Sequence, residues 1–186
     1  YGCGPLLLSS NADAFDPDET TVLPGANTTA ALLFKFWHAK KCGGEPKVSS
    51  ALLDEVYRGL LSGKFRQGVT IHELRFTWKC DGLHMLQDMG AFWESQTGSP
   101  IPLGIAVARR EFSPLTIADI ESEIKNSLRE ARSRQFLVTD FIREKAQIDD
   151  ENVIEAHIRM FVNDFSEGVG EAGRKALDFL WSLKKC

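Results

Sequence analysis

The sequence lacks the features that would assign it to a membrane or to nucleic acid. No apolar run, Thr29 to Phe36 included, approaches the roughly 18 residues that a membrane-spanning helix needs. The 22 lysines and arginines stand against 26 acidic residues, which gives a net charge of −4, and they form no basic patch. We therefore expect neither a membrane nor nucleic acid as a partner.

Paired cysteines and the common phosphate-binding and nucleophile motifs are absent as well. Cys3, Cys42, Cys80 and Cys186 lie far apart without C-x-x-C spacing, and no signal-peptide pattern begins the chain. These absences predict reduced thiols in the cytoplasm and no zinc site. The sequence also contains no G-x-G-x-x-G phrase, Walker loop or nucleophile elbow.

The composition is that of a globular protein, and its segments alternate between strand and helix patterns. Hydrophobic residues make up 43% of the 186 residues and charged residues 26%, which excludes extensive disorder. Helical patterns begin near residues 28 and 49, and the chain after Pro114 is almost wholly helical. Short apolar or β-branched segments predict strands at 4–9, 20–23, 69–71, 83–86 and 103–109. This order predicts an α/β fold with a largely parallel sheet.

Two of these strands, near 5–9 and 103–109, are expected to be buried and to bracket the middle of the chain. The sequence then predicts one α/β lobe over residues 10–102. Residues 1–9 and 103–186 would form the crossover strands and the helices of another lobe. A single continuous three-layer domain is the alternative.

The segment Pro24 to Ala30 joins a predicted strand to a predicted helix. Ligands of open α/β sheets bind outside the carboxyl ends of strands, beside helix N-termini. Free N–H groups, the positive end of the helix dipole and the hydroxyls of Thr28 and Thr29 would suit a carboxylate. The same residues, or Asn27, would equally serve as an ordinary helix cap.

His72 ends the next predicted strand and is the candidate proton acceptor. An unperturbed histidine titrates near about pH 6.5 and can take up and return protons at neutral pH. Phe76 stands where the second histidine of an H-E-x-x-H zinc motif would be. A lone histidine is more often structural than catalytic, and His38, His84 and His157 have no supporting context.

Several short phrases, in this order and spacing, resemble one family. They are Pro24-Gly25 with Thr28-Thr29-Ala30, Ile71-His72-Glu73 with Arg75-Phe76-Thr77, Gly90-Ala91-Phe92-Trp93-Glu94, Thr97-Gly98, Pro100 with Pro102-Leu103-Gly104, and Val162-Asn163 with Phe165-Ser166. The family that they resemble is 1,4-dihydroxy-6-naphthoate synthase, of menaquinone biosynthesis by the futalosine pathway. The resemblance extends from Gly4 to the last helix.

The resemblance implies a periplasmic-binding-protein type II-like fold, with two α/β lobes around a cleft, in a cytoplasmic enzyme. It implies a lyase that converts cyclic dehypoxanthinylfutalosine to 1,4-dihydroxy-6-naphthoate. The expected partner is therefore this substrate, a small molecule that carries a carboxylate. His72 matches the family's proton acceptor, and Thr28, Thr29 and Ala30 match its substrate-binding stretch. The family uses no metal and no organic cofactor.

The family also has an N-terminal stretch that nothing in these 186 residues matches, and the first methionine is Met85. We therefore expect a C-terminal fragment in which residues 10–102 form the second lobe and the first lobe is incomplete. Its uncovered helices predict either self-association or the missing segment as a partner.

Two alternatives of other function share this fold. One is a non-catalytic solute-binding protein, in which His72 would only hydrogen-bond the ligand. The other is chorismate dehydratase, the sister enzyme of the pathway.

Overall fold

The computed structural model describes residues 2–72, 74–146 and 149–183. The chain forms two compact units. The first, here called the sheet unit, contains residues 1–103 and 175–186, and the second, the helical unit, contains residues 104–174. The boundary between them falls inside the last helix.

A five-stranded sheet with four helices makes up most of the sheet unit. Its elements in chain order are β1 (Leu6–Ser9), β2 (Thr21–Leu23), α1 (Thr29–Lys41), β3 (Val48–Ser50), α2 (Leu53–Leu61), β4 (Gln67–Thr70), α3 (Leu74–Thr77), β5 (His84–Asp88) and α4 (Met89–Thr97). The strand order is β3-β2-β4-β1-β5. The predicted α/β class is therefore confirmed.

The sheet is mixed, and the prediction of a largely parallel sheet is wrong for β1. β2 pairs in parallel with β3 and β4, whereas β1 runs antiparallel to both β4 and β5. β1 is buried along its whole length. A short apolar strand buried on both faces has the same pattern in either direction, so its sequence does not indicate orientation.

The position of β1 also changes the predicted boundary at residue 10. The sequence predicts residues 1–9 together with residues 103–186 in another lobe, but residues 6–9 form β1, which lies between β4 and β5. This placement pairs the backbone of a buried strand on both sides, as burial requires. The assignment of either unit to a particular lobe stays a prediction.

β3 lies where the sequence predicts the start of the second helix. The helix that the sequence predicts from near residue 49 begins at Leu53, because Ser49 and Ser50 lie in β3 and Leu52 is the N-cap residue. The backbone N–H of Leu52 donates to Oε2 of Glu55 at 3.2 Å, which closes the first turn. β3 is an exposed three-residue edge strand, and it therefore has no buried apolar face to show in the sequence.

The two faces of the sheet bury different side chains. Leu6 and Leu8 pack with Val56 and Leu60 of α2 in one hydrophobic cluster. Val69 points to the other face, because side chains alternate along a strand. On that side α1 and α4 contact each other and the central strands.

An aromatic cluster joins α1, α4 and the end of the last helix within the sheet unit. Phe36, Phe92, Trp93 and Phe179 pack with ring centroids 5.3–6.2 Å apart. The indole Nε1 of Trp93 donates to the carbonyl oxygen of Pro100 at 3.1 Å. Phe92 and Trp93 are both buried.

The segment before β1 passes very close to the start of α4. A Cβ atom on Gly90 would lie 1.8 Å from the carbonyl oxygen of Cys3. One on Gly4 would lie 2.7 Å from Cα of Gly90. Glycine is therefore required at both positions for this crossing.

The helical unit contains α5 (Pro114–Ser133), α6 (Asp140–Lys145), α7 (Glu151–Phe161), a short 3₁₀ turn (Asp164–Ser166) and the start of α8 (Gly170–Leu183). Asp150 is the N-cap residue of α7, and its carboxylate accepts a hydrogen bond from the backbone N–H of Asn152 at 2.9 Å. The predicted helical character after Pro114 is confirmed. Within 2–72, 74–146 and 149–183, no helix is long and apolar enough to cross a membrane.

The predicted strand at 103–109 is wrong. These residues have no regular secondary structure, all of them are exposed, and Val107 is 82% exposed. The described residues 104–146 and 149–174 contain no strand that would pair with such a segment. Its backbone groups therefore face solvent.

Candidate active site

Parallel pairing brings the ends of two predicted site strands to one edge of the sheet. Thr21 lies opposite Gln67 and Val22 opposite Gly68, so the turns that follow β2 and β4 leave the sheet side by side. The same edge contains the start of β1 and the end of β5, since Leu6 pairs with both Thr70 and Asp88. We call this the carboxyl edge, defined by residues 24–30, 70–72, 74, 75 and 88.

Thr28 caps α1 at this edge. Its hydroxyl accepts a hydrogen bond from the backbone N–H of Ala31 at 3.1 Å and donates to the carbonyl oxygen of Gly25 at 2.9 Å. Among the described residues, none accepts a hydrogen bond from the N–H of Thr29 or of Ala30. The hydroxyl of Thr28 is thus used within the fold, while two N–H groups of the first turn are available to a ligand.

The other long helices that start at this edge have acidic groups at their N-termini. Asp54 and Glu55 lie in the first turn of α2. The carboxylate of Asp88 caps α4 by accepting from the N–H groups of Gly90 and Ala91 at 2.9 and 3.0 Å. The first turn of α1, which the structure describes in full, has no acidic residue. The positive end of α1 is therefore the one suited to an external anion.

His72 lies two residues after the end of β4 and has an unusual backbone conformation. Its φ angle is +62°, in the left-handed region that costs most side chains about 1–3 kcal/mol. Its carbonyl oxygen accepts from the N–H of Arg75 at 3.2 Å, and its side chain is exposed. Thr70 is 1% exposed, and its hydroxyl has no hydrogen-bond partner within the described residues. Glu73, part of the same phrase, lies outside the described residues.

The other three histidines do not lie at the carboxyl edge. His38 is buried near the end of α1, and neither of its ring nitrogens has a hydrogen-bond partner within the described part of the chain. His84 begins β5 at the opposite edge. The ring of His157 packs 4.6 Å from that of Phe161 in the helical unit. Of the four histidines, His72 is the one that lies at the carboxyl edge, and it is exposed.

Arg75 is a residue of this edge that sequence reasoning did not assign to the site. Its guanidinium pairs with the carboxylate of Asp88 and donates to the carbonyl oxygens of Gly4 at 3.0 Å and Gly2 at 3.1 Å. Its presence in the phrase Arg75-Phe76-Thr77 was the available signal.

Tyr57 forms hydrogen bonds at the C-terminal end of α3. Its hydroxyl donates to the carboxylate of Asp81 and lies 3.3 Å from the hydroxyl of Thr77. Burial, and then the hydrogen bond to Asp81, raise the pKa of Tyr57 to about 12. The short helix after His72 is therefore anchored to α2 as well as to the start of β1.

The fold defines an α/β protein, and the carboxyl edge is its candidate site. A family model described as menaquinone biosynthesis matches residues 1–185, and the chain belongs to this family. This confirms the resemblance that the sequence phrases carry.

Two curated relatives are named 1,4-dihydroxy-6-naphthoate synthase. The one from Streptomyces coelicolor is 37% identical over 177 residues, which cover 95% of this chain and 63% of the relative. The one from Thermus thermophilus is 32% identical over 181 residues, 97% of this chain and 65% of the relative. The chain thus spans less than two thirds of the length of these relatives.

A solved structure shares the fold. Protein AF1704 from Archaeoglobus fulgidus superposes with a TM-score of 0.87 and 23% sequence identity, over 100% of this chain and 68% of that one. At this identity the similarity shows the fold alone.

Proposed function

We propose that this chain carries the sheet-edge half of the active site of a 1,4-dihydroxy-6-naphthoate synthase. The reaction would be that of a lyase which releases 1,4-dihydroxy-6-naphthoate from cyclic dehypoxanthinylfutalosine in menaquinone biosynthesis. Family membership and the printed names of two relatives support this proposal. The observation that carries it is the placement of His72 and the uncapped N–H groups of α1 at one edge.

In this proposal the N-terminus of α1 binds the substrate and His72 carries out the proton transfer. The N–H groups of Thr29 and Ala30, with the hydroxyl of Thr29, hold the substrate carboxylate at the positive end of the helix. The imidazole of His72 accepts a proton from the substrate and, once protonated, can return it.

We also propose the finer fold and setting that the family resemblance implies. Residues 10–102 would be the second lobe of a periplasmic-binding-protein type II-like fold, with the helical unit belonging to the first. The mixed sheet, with its ligand groups at one edge, supports this assignment. Among the described cysteines, Cys3, Cys42 and Cys80 are free, which supports a cytoplasmic location.

The partners follow from the same proposal. A small molecule with a carboxylate would bind at the carboxyl edge. Self-association would use the helical unit, in which α5 leaves Leu115, Ile120 and Ile124 exposed. Light scattering of the purified protein over a range of concentrations tests this second partner.

The direct test of function is to replace His72 and measure turnover. His72→Asn is preferred to His72→Ala, because asparagine tolerates a positive φ and does not titrate near neutral pH. Loss of a general base should lower turnover by about 100- to 10,000-fold while the protein stays folded. His84→Asn, at the opposite edge, is the matched control and should leave turnover unchanged.

Two results would count against the proposal. Turnover of His72→Asn within a few-fold of the unmodified protein would remove His72 from the mechanism. Binding of cyclic dehypoxanthinylfutalosine without conversion by the unmodified protein would favour the solute-binding alternative.

A further inference from the structure

Arg75 is a cation enclosed by its contacts rather than a surface residue. Its side chain is 14% exposed and that of its partner Asp88 is 18% exposed. Arg75 also donates to the carbonyl oxygens of Gly2 and Gly4. The planar guanidinium can satisfy a carboxylate and two carbonyls at once, which a lysine cannot do with the same geometry.

These contacts link three separate segments of the carboxyl edge. Arg75 lies in α3, Gly2 and Gly4 precede β1, and Asp88 joins β5 to α4. Asp88 is shared between two tasks, because one of its oxygens caps α4 while the other pairs with Arg75. The guanidinium therefore links α3 to the segment before β1 and to the end of β5.

His72 depends on this linkage for its own position. Within the described residues nothing hydrogen-bonds the imidazole of His72, so the backbone of its turn sets where the ring lies. The turn is strained, with φ of +62°, and it is closed by the N–H of Arg75 on the carbonyl oxygen of His72 at 3.2 Å. One residue thus closes the turn with its backbone and anchors it with its side chain.

We propose that Arg75, held by Asp88, is a positioning residue that fixes the turn and hence the imidazole of His72. The catalytic consequence rests on the proposed function of His72 as proton acceptor. Misplacement of a reacting group by about 1 Å can lower a rate by about a hundredfold. Release of the anchor would therefore lower the rate of the proton-transfer step rather than the affinity for substrate.

The test compares Arg75→Met with Arg66→Met. Arg66 lies just before β4, where it pairs with Asp13 at 3.2 Å and Asp16 at 3.9 Å, so its variant removes an arginine–aspartate pair at the other end of the same strand. For Arg75→Met we expect kcat to fall about ten- to a hundredfold with KM within about threefold. Arg66→Met should change neither. Equal losses of kcat in both variants would overturn the proposal.

Asp88→Asn is the second variant, because its amide oxygen can still accept the N–H groups that cap α4. It removes only the charge that holds the guanidinium, so it should lower kcat by a smaller factor than Arg75→Met and again leave KM nearly unchanged. A rise in KM without loss of kcat in either variant would assign the pair to substrate binding and overturn the proposal.

Amide hydrogen exchange decides the structural part independently of activity. The N–H at position 75 closes the His72 turn, and in Arg75→Met it should exchange at least about tenfold faster than in the unmodified protein. Unchanged exchange at position 75 would show that the side chain does not hold the turn, and it would overturn the proposal. If His72→Asn keeps its turnover, the proposed function fails, and the exchange at position 75 still decides whether Arg75 positions the turn.

Discussion

The two units of the chain bury their helices to very different extents. In the sheet unit, 13-residue α1 buries Ala30, Ala31, Leu33, Phe34, Trp37 and His38. In the helical unit, α5 has 20 residues, all of them described, and buries none. α5 nevertheless has an apolar stripe of the usual helical spacing, from Ile117 to Leu128. An apolar stripe shows that a helix has a face suited to burial, but whether that face is buried depends on the other elements of the fold.

The difference follows from what each unit offers its helices. A five-stranded sheet gives α1, α2 and α4 two apolar faces to cover. The described residues of the helical unit include no strand. Val138 and Ile154 are its buried large apolar residues among those described. We therefore expect single substitutions of buried residues to lower the free energy of unfolding more in the sheet unit than in the helical unit.

The largest expected effect compares a buried side chain of α1 with a stripe residue of α5. Phe34 is 0% exposed, whereas Ile124 is 41% exposed. Phe34→Ala should lower the free energy of unfolding by about 3–5 kcal/mol, and Ile124→Ala by less than about 1 kcal/mol. Urea unfolding followed by tryptophan fluorescence and far-UV circular dichroism measures both. A loss at Ile124 as large as that at Phe34 would mean that α5 is covered in solution.

The next effect compares two glycines. Gly90→Ala places a methyl group against the carbonyl oxygen of Cys3, and Gly168→Ala meets nothing within 4 Å. Although alanine favours a helix, we expect Gly90→Ala to lower the free energy of unfolding by about 3 kcal/mol, and Gly168→Ala to change it by less than about 0.5 kcal/mol. The same urea titration applies, and a neutral Gly90→Ala would show that the crossing of Cys3 over α4 is looser than described.

The smallest effect is a dependence on alkaline pH that belongs to the sheet unit. The pKa of Tyr57 is raised to about 12 in the fold, from about 10 for an unfolded tyrosine. Its contribution to stability is complete below pH 10 and is lost as the pH rises towards 12, because the unfolded phenol ionises first. In Tyr57→Phe, the fall in unfolding free energy between pH 10 and 12 should be shallower. If the unfolding free energies of the two proteins fell equally between pH 10 and 12, the raised pKa of Tyr57 would be contradicted.

Features set by neighbouring residues can be predicted from this sequence. The pattern limits the N-cap residue of α1 to Asn27, Thr28 or Thr29, and in the structure it is Thr28. The pattern also predicts His72 at the end of a strand, and the structure has it two residues after β4. The approach of these two segments also follows once β2 and β4 are known to be parallel neighbours. The catalytic and binding roles of His72, Thr28, Thr29 and Ala30 stay predictions.

Features that depend on distant residues could not be predicted. The direction of β1 is set by pairing with β4 and β5, and both partners lie about sixty or more residues further along the chain. Residues 103–109 have the apolar pattern of a strand, but no described segment pairs with them. Arg75 contacts Gly2 and Asp88 only because three chain segments meet at the carboxyl edge. No local pattern marks such a meeting.

The most direct test of the carboxyl edge as a binding site is a titration followed by amide NMR. 1,4-Dihydroxy-6-naphthoate is added to the isotope-labelled protein, with Thr29→Val and Thr20→Val as the site variant and its exposed control. We expect the amide resonances of Thr29, Ala30 and His72 to shift together. A hydrogen bond to a charged group is worth about 1.5–3 kcal/mol, so Thr29→Val should raise the dissociation constant about tenfold or more. Shifts confined to the helical unit, or an unchanged dissociation constant in Thr29→Val, would contradict the assignment of the carboxyl edge.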